Sequence, residues 1–432
     1  MGRHKKILRH FSFFAGVFFT LLAVVGMFFV AATVGEERSK NAGLPRMDLL
    51  LNDVTLEEIY LGDKEEKYEG NELTLKEGDK ASFFNEVQIK GRGNTTWGEA
   101  KKPFRIKFAN KVNLLGLGSA RKWVLLANNL DDTLMRNDIA FYVNKMLDGD
   151  YAMDGKFVNL YIDGENLGVY YLTRSISDRG VIRLHDPMGV LIELDNAHRD
   201  GELVYDTREG SCFILKNAVS DDVALHALNR FGEAFEEIEH YAEMRDYENL
   251  SKMIDFESFA EYFLITEFTN NPDGFVTSWW FYVDGPEDVI HTGPAWDFDF
   301  ALGNMRWGNE LISDFHNPAR PLINREDVVD AKEQSAEVSK VMYHMLDIPE
   351  FREIVERIYR ERMMGRSDEV VSRIKNNAEL LHDAAVFDAQ KWEKWDFDTE
   401  VEYLIQWVEK RFQMMDEEYG GKMPIPVEEN KI

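Results

Sequence analysis

The strongest constraint on this chain is a stretch of 24 residues near its amino terminus, 11–34, that contains no charged side chain. As an α-helix rising about 1.5 Å per residue, this stretch is about 36 Å long, whereas the hydrocarbon core of a bilayer is about 30 Å thick. Four Lys or Arg residues and no acidic residue lie in 1–10, and Glu36 and Glu37 follow the stretch. Because basic flanks favour the cytoplasm, the sequence predicts a single-pass membrane protein with a cytoplasmic stub, 1–10, and an extracytoplasmic main domain.

A cleavable signal peptide is the alternative to this anchor, because Val30-Ala31-Ala32 has the small residues of a cleavage site. The apolar region of a signal peptide usually has only about 7 to 15 residues, so we favour an uncleaved transmembrane anchor over 11–34. Residues 35–50 are then expected to be a linker, 51–422 a folded domain and 423–432 a polar tail.

The charge of the chain divides at this anchor. The whole sequence has 50 Lys and Arg against 78 Asp and Glu, which gives a formal net charge of −28. The first acidic residue is Glu36, so the stub contributes +4 and the predicted exported part contributes −32. Affinity for nucleic acid comes largely from Lys and Arg on phosphates, so this balance excludes a nucleic-acid partner and favours a basic protein partner. The single cysteine, Cys212, excludes an intrachain disulfide and a cysteine-rich zinc site.

The order of the predicted elements indicates an α+β fold. In the segment 104–108, FRIKF, apolar residues alternate with Arg105 and Lys107, which predicts a strand that projects both cations from one face. A hairpin is predicted around Asp163-Gly164, whereas helical spacing dominates 220–268 and much of the later chain. We therefore expect a β-rich amino-terminal lobe followed by a mostly helical carboxy-terminal part.

The first candidate site is a glycine turn, 91–94, which precedes Arg105 and Lys107. Its residues are Gly91, Arg92, Gly93 and Asn94. Glycines let backbone N–H groups approach an anion, and a nearby cation neutralises phosphate oxygens. The alternative for this segment is a tight hairpin whose glycines only supply positive φ angles.

Two further segments concentrate polar residues. The first, TNNPDG at 269–274, has the composition of a helix end followed by a turn, which needs no function. The second contains Asp297 and Asp299 among aromatic residues, and an extended backbone points both acids to one face. Two such carboxylates raise each other's pKa unless a cation lies between them, and Mg²⁺ bound by carboxylates and substrate phosphates relieves the repulsion. A surface turn with two solvated acids is the alternative.

These segments, with others in the same order, resemble the CotH family of spore-coat-protein-H-like kinases. The resemblance extends from about residue 87 to 303, and more loosely through the helical tail. It rests on KGRGNTTW at 90–97, KKPFRIKF at 101–108, WVLLAN at 123–128, LMRN at 134–137, GVYYLT at 168–173, IELD at 192–195, DG at 273–274 and GPAWDFD at 293–299.

The resemblance implies an atypical protein-kinase-like fold that uses ATP with Mg²⁺ or Mn²⁺ to phosphorylate Ser or Thr of a protein. Membrane anchoring makes an envelope or coat protein the expected acceptor. The glycine turn is then expected to cover the phosphates, with Lys107 as the cation on them and Arg105 as a second cation of the nucleotide site. Glu193 is the expected partner that orients Lys107.

The same resemblance implies roles for three aspartates. Asp273 has the position of a catalytic-loop aspartate, which accepts the proton of the substrate hydroxyl. Asp297, followed by Phe298, has the position of the metal-holding aspartate. Asp299 is a second metal ligand or a support for the first.

Two positions differ from the pattern and leave other classes open. Ser278 is five residues after Asp273, where ordinary kinases have a second metal-binding Asn, and Arg174 stands where family members often have an acid. Arg174 and the scarcity of ATP outside the cytoplasm favour a non-catalytic envelope protein on the same scaffold. The DxD pattern of 297–299 is the basis of a weaker alternative, a metal-dependent glycosyltransferase.

Overall fold

The computed structural model of the chain describes residues 43–421, except 178–180, 187, 196–200, 209, 218–220, 305, 308–309, 312–313, 324–336 and 395. The predicted stub, the predicted anchor over 11–34 and the polar tail over 423–432 lie outside the described residues. Within the described ranges, no helix is both long enough and apolar enough to cross a membrane.

Most of the described strands lie in the first half of the chain, and most of the described helices lie in the second half. The strands are β1 (Arg46–Leu50), β2 (Tyr68–Glu77), β3 (Lys80–Gly91), β4 (Phe104–Asn113), β5 (Ser119–Leu126), β6 (Gly155–Ile162), β7 (Glu165–Arg174), β8 (Val190–Leu194), β9 (Val204–Asp206), β10 (Cys212–Leu215), β11 (Trp279–Val283), β12 (His291–Thr292), β13 (Arg306–Trp307) and β14 (Glu310–Leu311). The helices are α1 (Leu56–Leu61), α2 (Arg136–Met146), α3 (Asp221–Met244), α4 (Tyr247–Leu250), α5 (Phe256–Thr269), α6 (Glu337–Leu346), α7 (Pro349–Arg362), α8 (Ser367–Trp392) and α9 (Phe397–Tyr419). The prediction of an α+β fold with a β-rich amino-terminal part and a helical carboxy-terminal part is therefore confirmed.

A closed barrel of seven strands, which the sequence did not predict, forms the amino-terminal part. Its order is β1-β2-β3-β4-β5-β7-β6, and only the closing pair, β1 with β6, is parallel. Closure leaves no unpaired sheet edge. Strand β1 occupies Arg46–Leu50, so the folded part begins inside the segment 35–50 that was expected to be a linker.

Strands β5 and β7 are buried on both faces, which explains how the barrel joins the helices. Trp123 and Tyr170 point into the barrel core, whereas Val124 and Tyr171 belong to the core of the helical part. Because successive side chains of a strand point to opposite faces, each strand contributes to both cores. Helix α8 packs against β7, and helix α2 contacts Tyr171 of the same strand. The amino end of α2 lies near the candidate site.

The helical part contains a second sheet with the order β12-β11-β8-β10-β9. Helix α5 is buried along nearly its whole length and ends at Thr269, where Asn270 adopts a left-handed conformation with φ 48°. Arg411 of α9 fixes this end, because its guanidinium donates hydrogen bonds to the main-chain oxygen of Phe268 (3.2 Å) and to Glu267 Oε1 (2.9 Å). The segment after α5 therefore leaves the core in a fixed direction.

Candidate functional site

Asp273 lies in the turn that follows α5. Its side chain is half-buried, and its main-chain N–H donates to Asn271 Oδ1 (3.3 Å). The amide of Asn271 also donates to the main-chain oxygen of Asp297 (2.9 Å). The segment 269–274 is a helix end and a turn, as its composition predicted, and it contacts the Asp297 segment directly.

Asp297 lies in a loop after β12 and adopts a left-handed conformation with φ 65°. The extended backbone that would point both acids to one face is therefore absent at this residue, although Trp296 and Phe298 are buried on either side of it. A non-glycine residue in this region is strained and persists only where its surroundings hold it. The hydroxyl of Ser278 donates to Asp297 Oδ2 (3.3 Å), so the residue that replaces the expected Asn still contacts the site.

Asp299 lies two residues after Asp297, and its carboxylate accepts a hydrogen bond from helix α2. Asn137, in the first turn of α2, donates its amide N–H to Asp299 Oδ1 (2.6 Å). The amide oxygen of Asn137 accepts a hydrogen bond from the main-chain N–H of Phe298 (3.1 Å). Asn304 adds a hydrogen bond to the main-chain oxygen of Asp299 (2.6 Å), which closes the loop on itself.

The three carboxylates share an environment that disfavours negative charge. Burial, with a smaller contribution from the charge of Asp297, raises the pKa of Asp273 to about 6. Burial and the charge of Asp297 raise the pKa of Asp299 to about 7, and the hydrogen bond from Asn137 opposes this shift. Asp297 is exposed at the surface of the loop, but the surrounding protein displaces enough water to raise its pKa as well, opposed mainly by the positive charge of Arg92. The region therefore gains free energy from an additional positive charge.

The glycine turn 91–94 brings Arg92 to this region. The guanidinium of Arg92 lies 5.6 Å from the ring centroid of Trp296, beside Asp297. Gly93 has φ 82°, which favours glycine, and Lys64 Nζ braces the turn through hydrogen bonds to the Gly93 oxygen (2.7 Å) and Asn94 Oδ1 (2.8 Å). The turn is a braced structure next to the acidic residues.

The other predicted nucleotide contacts lie on the sheets. Arg105 and Lys107 are half-buried on β4 and share a face of the strand, whereas Phe104 and its alternate neighbours fill the barrel. Glu193 lies on β8, and its Oε2 is 2.8 Å from Lys216 Nζ. Glu193 is therefore paired with Lys216, whereas Lys107 was the expected partner.

Arg174, the position that departs from the family pattern, lies at the end of β7. Its NH2 group is 3.5 Å from Asp154 Oδ1. The side chain also approaches Gly118 in the turn between β4 and β5. Arg174 therefore contacts residues at one end of the barrel.

Three site residues were missed by sequence reasoning. Asn137 and Asn271 hold the loop that contains Asp297, and Asp195 accepts a hydrogen bond from Thr277 Oγ1 (3.4 Å) and adds its charge to that acting on Asp297. Asn137 and Asp195 both lie in segments on which the CotH resemblance rests, LMRN and IELD. Their place in these two family segments was the only sequence signal of their role, because a single buried polar residue has no distinctive sequence pattern.

The donor chemistry fits a hard divalent cation. Asp297 and Asp299 offer only oxygen atoms, which Mg²⁺ and Mn²⁺ prefer, and Mg²⁺ is usually bound by one or two carboxylates with substrate phosphates. The raised pKa values mark carboxylates whose charge the protein leaves incompletely balanced. Across the described ranges, no group of three or more His, Cys, Asp or Glu side chains is arranged to hold a metal ion.

Taken together, a braced glycine turn with an arginine faces paired carboxylates on a mixed α+β scaffold, which defines a candidate site for a cation and an anionic ligand. The chain belongs to the CotH family, because residues 88–415 match the family model described as CotH kinase protein. It is also similar to the inner spore coat protein H of Bacillus subtilis strain 168, with 24% identity over 243 residues. That match covers 53% of this chain and 62% of the relative. The resemblance predicted from the sequence is confirmed.

Proposed function

We propose that this chain is a membrane-anchored protein kinase, which transfers the γ-phosphoryl group of ATP to Ser or Thr of an envelope or coat protein. The proposal rests chiefly on one observation: Asp273, Asp297 and Asp299 come together beside Arg92 of the glycine turn, and their pKa values are raised. Phosphoryl transfer needs positioning and charge neutralisation more than covalent chemistry. Membership of a family described as kinase supports the same reaction.

In this proposal the three aspartates have separate tasks. Asp297 and Asp299 hold Mg²⁺ or Mn²⁺, which when bound neutralises the charge that develops on the phosphate oxygens. Asp273 accepts the proton of the acceptor hydroxyl. Its pKa of about 6 makes it a stronger base than an ordinary aspartate while leaving it mostly ionised at neutral pH.

The cations of the proposed nucleotide site come from the barrel. The guanidinium of Arg92 and the main-chain N–H groups of Gly93 and Asn94 contact the phosphates, and Arg105 and Lys107 supply further positive charge from β4. We do not assign Glu193 to Lys107, because Lys216 Nζ lies 2.8 Å from its carboxylate.

We further propose that the acceptor is a basic protein segment outside the cytoplasm. The part of the chain after the predicted anchor has a formal net charge of −32, which attracts Lys- and Arg-rich segments by long-range electrostatics. The predicted orientation requires ATP in that compartment. A basic peptide with serine and threonine is therefore the appropriate first substrate.

The decisive experiment measures transfer of label from γ-labelled ATP to such a peptide, using the full-length chain in detergent with Mn²⁺ or Mg²⁺. We expect incorporation that falls at least 100-fold in Asp297→Asn and Asp273→Asn, and that stays unchanged in Asp383→Asn. Asp383 is a matched control because it is an exposed aspartate on α8. Equal incorporation by all four proteins, or none by the unmodified chain together with no thermal shift by ATP and Mn²⁺, would refute the proposal.

Two results would favour the other classes. A higher affinity for a nucleotide sugar than for ATP would indicate a glycosyltransferase. Full complementation of a deletion strain by the Asp273→Asn and Asp297→Asn variants would indicate a non-catalytic envelope protein.

A further inference from the structure

Asn137 is a buried amide whose nitrogen donates two hydrogen bonds and whose oxygen accepts one at the candidate site. Its side chain is on the first turn of α2, and its exposed fraction is 2%. The amide nitrogen donates to Asp299 Oδ1 (2.6 Å) and to Asn128 Oδ1 (3.2 Å), while the amide oxygen accepts from the N–H of Phe298 (3.1 Å). The two donors and the acceptor are therefore matched to two acceptors and a donor.

This matching fixes the orientation of the amide. Rotation of the Asn137 amide by a half-turn would point its oxygen at the Asp299 carboxylate and its N–H group at the N–H of Phe298. Both contacts would be repulsive, and they would leave buried polar groups without a partner, which destabilises the folded state. The amide therefore has one stable orientation, which presents a donor to Asp299.

Asn128 in turn holds the side chain of Asn137 by accepting one of its hydrogen bonds. Asn128 is 3% exposed, follows β5 and adopts a left-handed conformation with φ 46°. Its own amide nitrogen donates to the main-chain oxygen of Leu134 (2.6 Å). The buried Asn128 and Asn137 and the half-buried Asp299 thus form a continuous chain of hydrogen bonds from the barrel to the acidic loop.

Asn137 contacts the acidic loop at two adjacent residues, Phe298 and Asp299. Asn137 holds the main chain at Phe298 and the carboxylate at Asp299. Asp297 lies immediately before Phe298, in a strained left-handed conformation. Two carboxylates that repel each other relax most easily by turning apart, and the hydrogen bond to Oδ1 of Asp299 opposes this movement.

We propose that Asn137 is a positioning residue, which holds Asp297 and Asp299 in the arrangement that binds a divalent cation. This inference rests on the proposed kinase function, because it takes these carboxylates as the cation site. Asn137 makes no contact with the cation in this proposal, and it acts through the rotamer of Asp299 and the main chain at Phe298. The engagement of Oδ1 leaves Oδ2 as the oxygen of Asp299 that a cation takes.

The test measures Mn²⁺ binding directly, by the loss of the free Mn²⁺ signal in electron paramagnetic resonance, with the full-length chain in detergent and ATP present. We expect Asn137→Ala to weaken Mn²⁺ binding at least tenfold. The matched control is Asn144→Ala, which removes another buried asparagine of α2, 2% exposed, seven residues further along the helix. We expect the control to leave Mn²⁺ affinity unchanged.

A second variant keeps the test informative if Asn137→Ala does not fold. Asn128→Ala removes the acceptor of one Asn137 hydrogen bond, together with the hydrogen bond from Asn128 to the main-chain oxygen of Leu134, and we expect a two- to fivefold loss of Mn²⁺ affinity. If both asparagines act through Asp299, the double variant binds Mn²⁺ no more weakly than Asn137→Ala alone. Unchanged affinity in Asn128→Ala, or an equal loss in Asn144→Ala, would overturn the inference.

The outcomes also separate this inference from the proposed function. If the unmodified chain binds no Mn²⁺ with ATP, the cation site itself is wrong and both proposals fail. If the unmodified chain binds Mn²⁺ and Asn137→Ala binds it equally well, only the positioning role of Asn137 is wrong.

Discussion

The Nζ atom of Lys101 lies 2.6 Å from Oδ2 of Asp388, although 287 residues separate the two in sequence and both are inaccessible to solvent. Both groups also bond to Val169 of β7, through its main-chain oxygen (2.5 Å) and its N–H (2.8 Å). Lys101 precedes β4 of the barrel, and Asp388 is near the end of α8. This buried pair therefore joins the barrel to the helical part that forms the rest of the site.

The first prediction concerns the stability of this joint. Lys101→Met leaves the Asp388 carboxylate buried without its cation, and breaking a buried pair in this way costs about 3–5 kcal/mol of unfolding free energy. The double variant Lys101→Met/Asp388→Leu is expected to lose less than Lys101→Met alone, because no unpaired charge remains. Urea unfolding of the three proteins measures this. The control is Lys391→Ala, which removes the partly exposed pair with Glu165 and is expected to cost at most about 1 kcal/mol. A Lys101→Met loss as small as the control would contradict the prediction.

The second prediction concerns Glu261 of α5, whose pKa burial raises from its usual 4.5 to about 7, although Arg362 opposes the shift. The folded chain then keeps a proton that the unfolded chain releases between about pH 4.5 and 7. Stability that depends on this proton is lost as pH rises through that window. We expect the free energy of unfolding of Glu261→Gln, relative to the unmodified chain, to rise from pH 5 to pH 8, by at most about 1.4 kcal/mol per pH unit. Urea unfolding at four pH values measures it.

The comparison for this pH experiment is Glu257→Gln, which changes an exposed glutamate of the same helix that pairs with Arg357. Its stability curve should run parallel to that of the unmodified chain. A parallel curve for Glu261→Gln as well would show that Glu261 does not hold its proton in the folded state.

Local periodicity predicted the elements that build the site, but it did not predict the barrel. The alternation around Phe104 and the Asp163-Gly164 turn concern residues close in sequence, and the corresponding strand and hairpin are present. Barrel closure depends on the parallel pairing of Arg46–Leu50 with β6, more than a hundred residues later. That segment contains Met47, Leu49 and Leu50, but five residues are too few for their pattern alone to predict a strand or its partner.

At the candidate site, too, the aspartates could be predicted from the sequence, whereas their long-range contacts could not. Asp273 and Asp297 were identified from a resemblance that preserves their order along the chain, and their segments touch through Asn271. The left-handed conformation of Asp297 was not predicted, because it depends on partners that are distant in sequence. Asn137 is the extreme case, since its role exists only once α2 packs against the loop 297–304.

The third prediction concerns the glycine turn. Gly93→Ala places a Cβ at φ 82° against Thr96 Oγ1, whereas Gly116→Ala has a similar φ of 79° and meets nothing within 4 Å. Both substitutions cost about 1–2 kcal/mol of unfolding free energy from backbone strain. Only Gly93→Ala also displaces the turn that contains Arg92, so we expect its ATP affinity to fall roughly tenfold, about 1.4 kcal/mol. Calorimetric titration with ATP and Mn²⁺ measures this, and equal affinities of the two variants would exclude the turn from the nucleotide site.

The fourth prediction is that the cation site costs stability when no cation is bound. Burial and the charge of Asp297 raise the pKa of Asp299 from 3.8 to about 7, so the folded chain loses stability as pH rises through that range. Asp299→Asn removes this charge and keeps an oxygen that accepts the hydrogen bond from Asn137. Without metal at pH 8, we expect the variant to be more stable by about 0.5–2 kcal/mol, with a higher melting temperature. With Mn²⁺ and ATP, the unmodified chain should gain a thermal shift that the variant lacks. Asp383→Asn, on the exposed face of α8, should change neither value. A variant that is less stable than the unmodified chain at pH 8 without metal would show that Asp299 stabilises the fold and is no strained cation ligand.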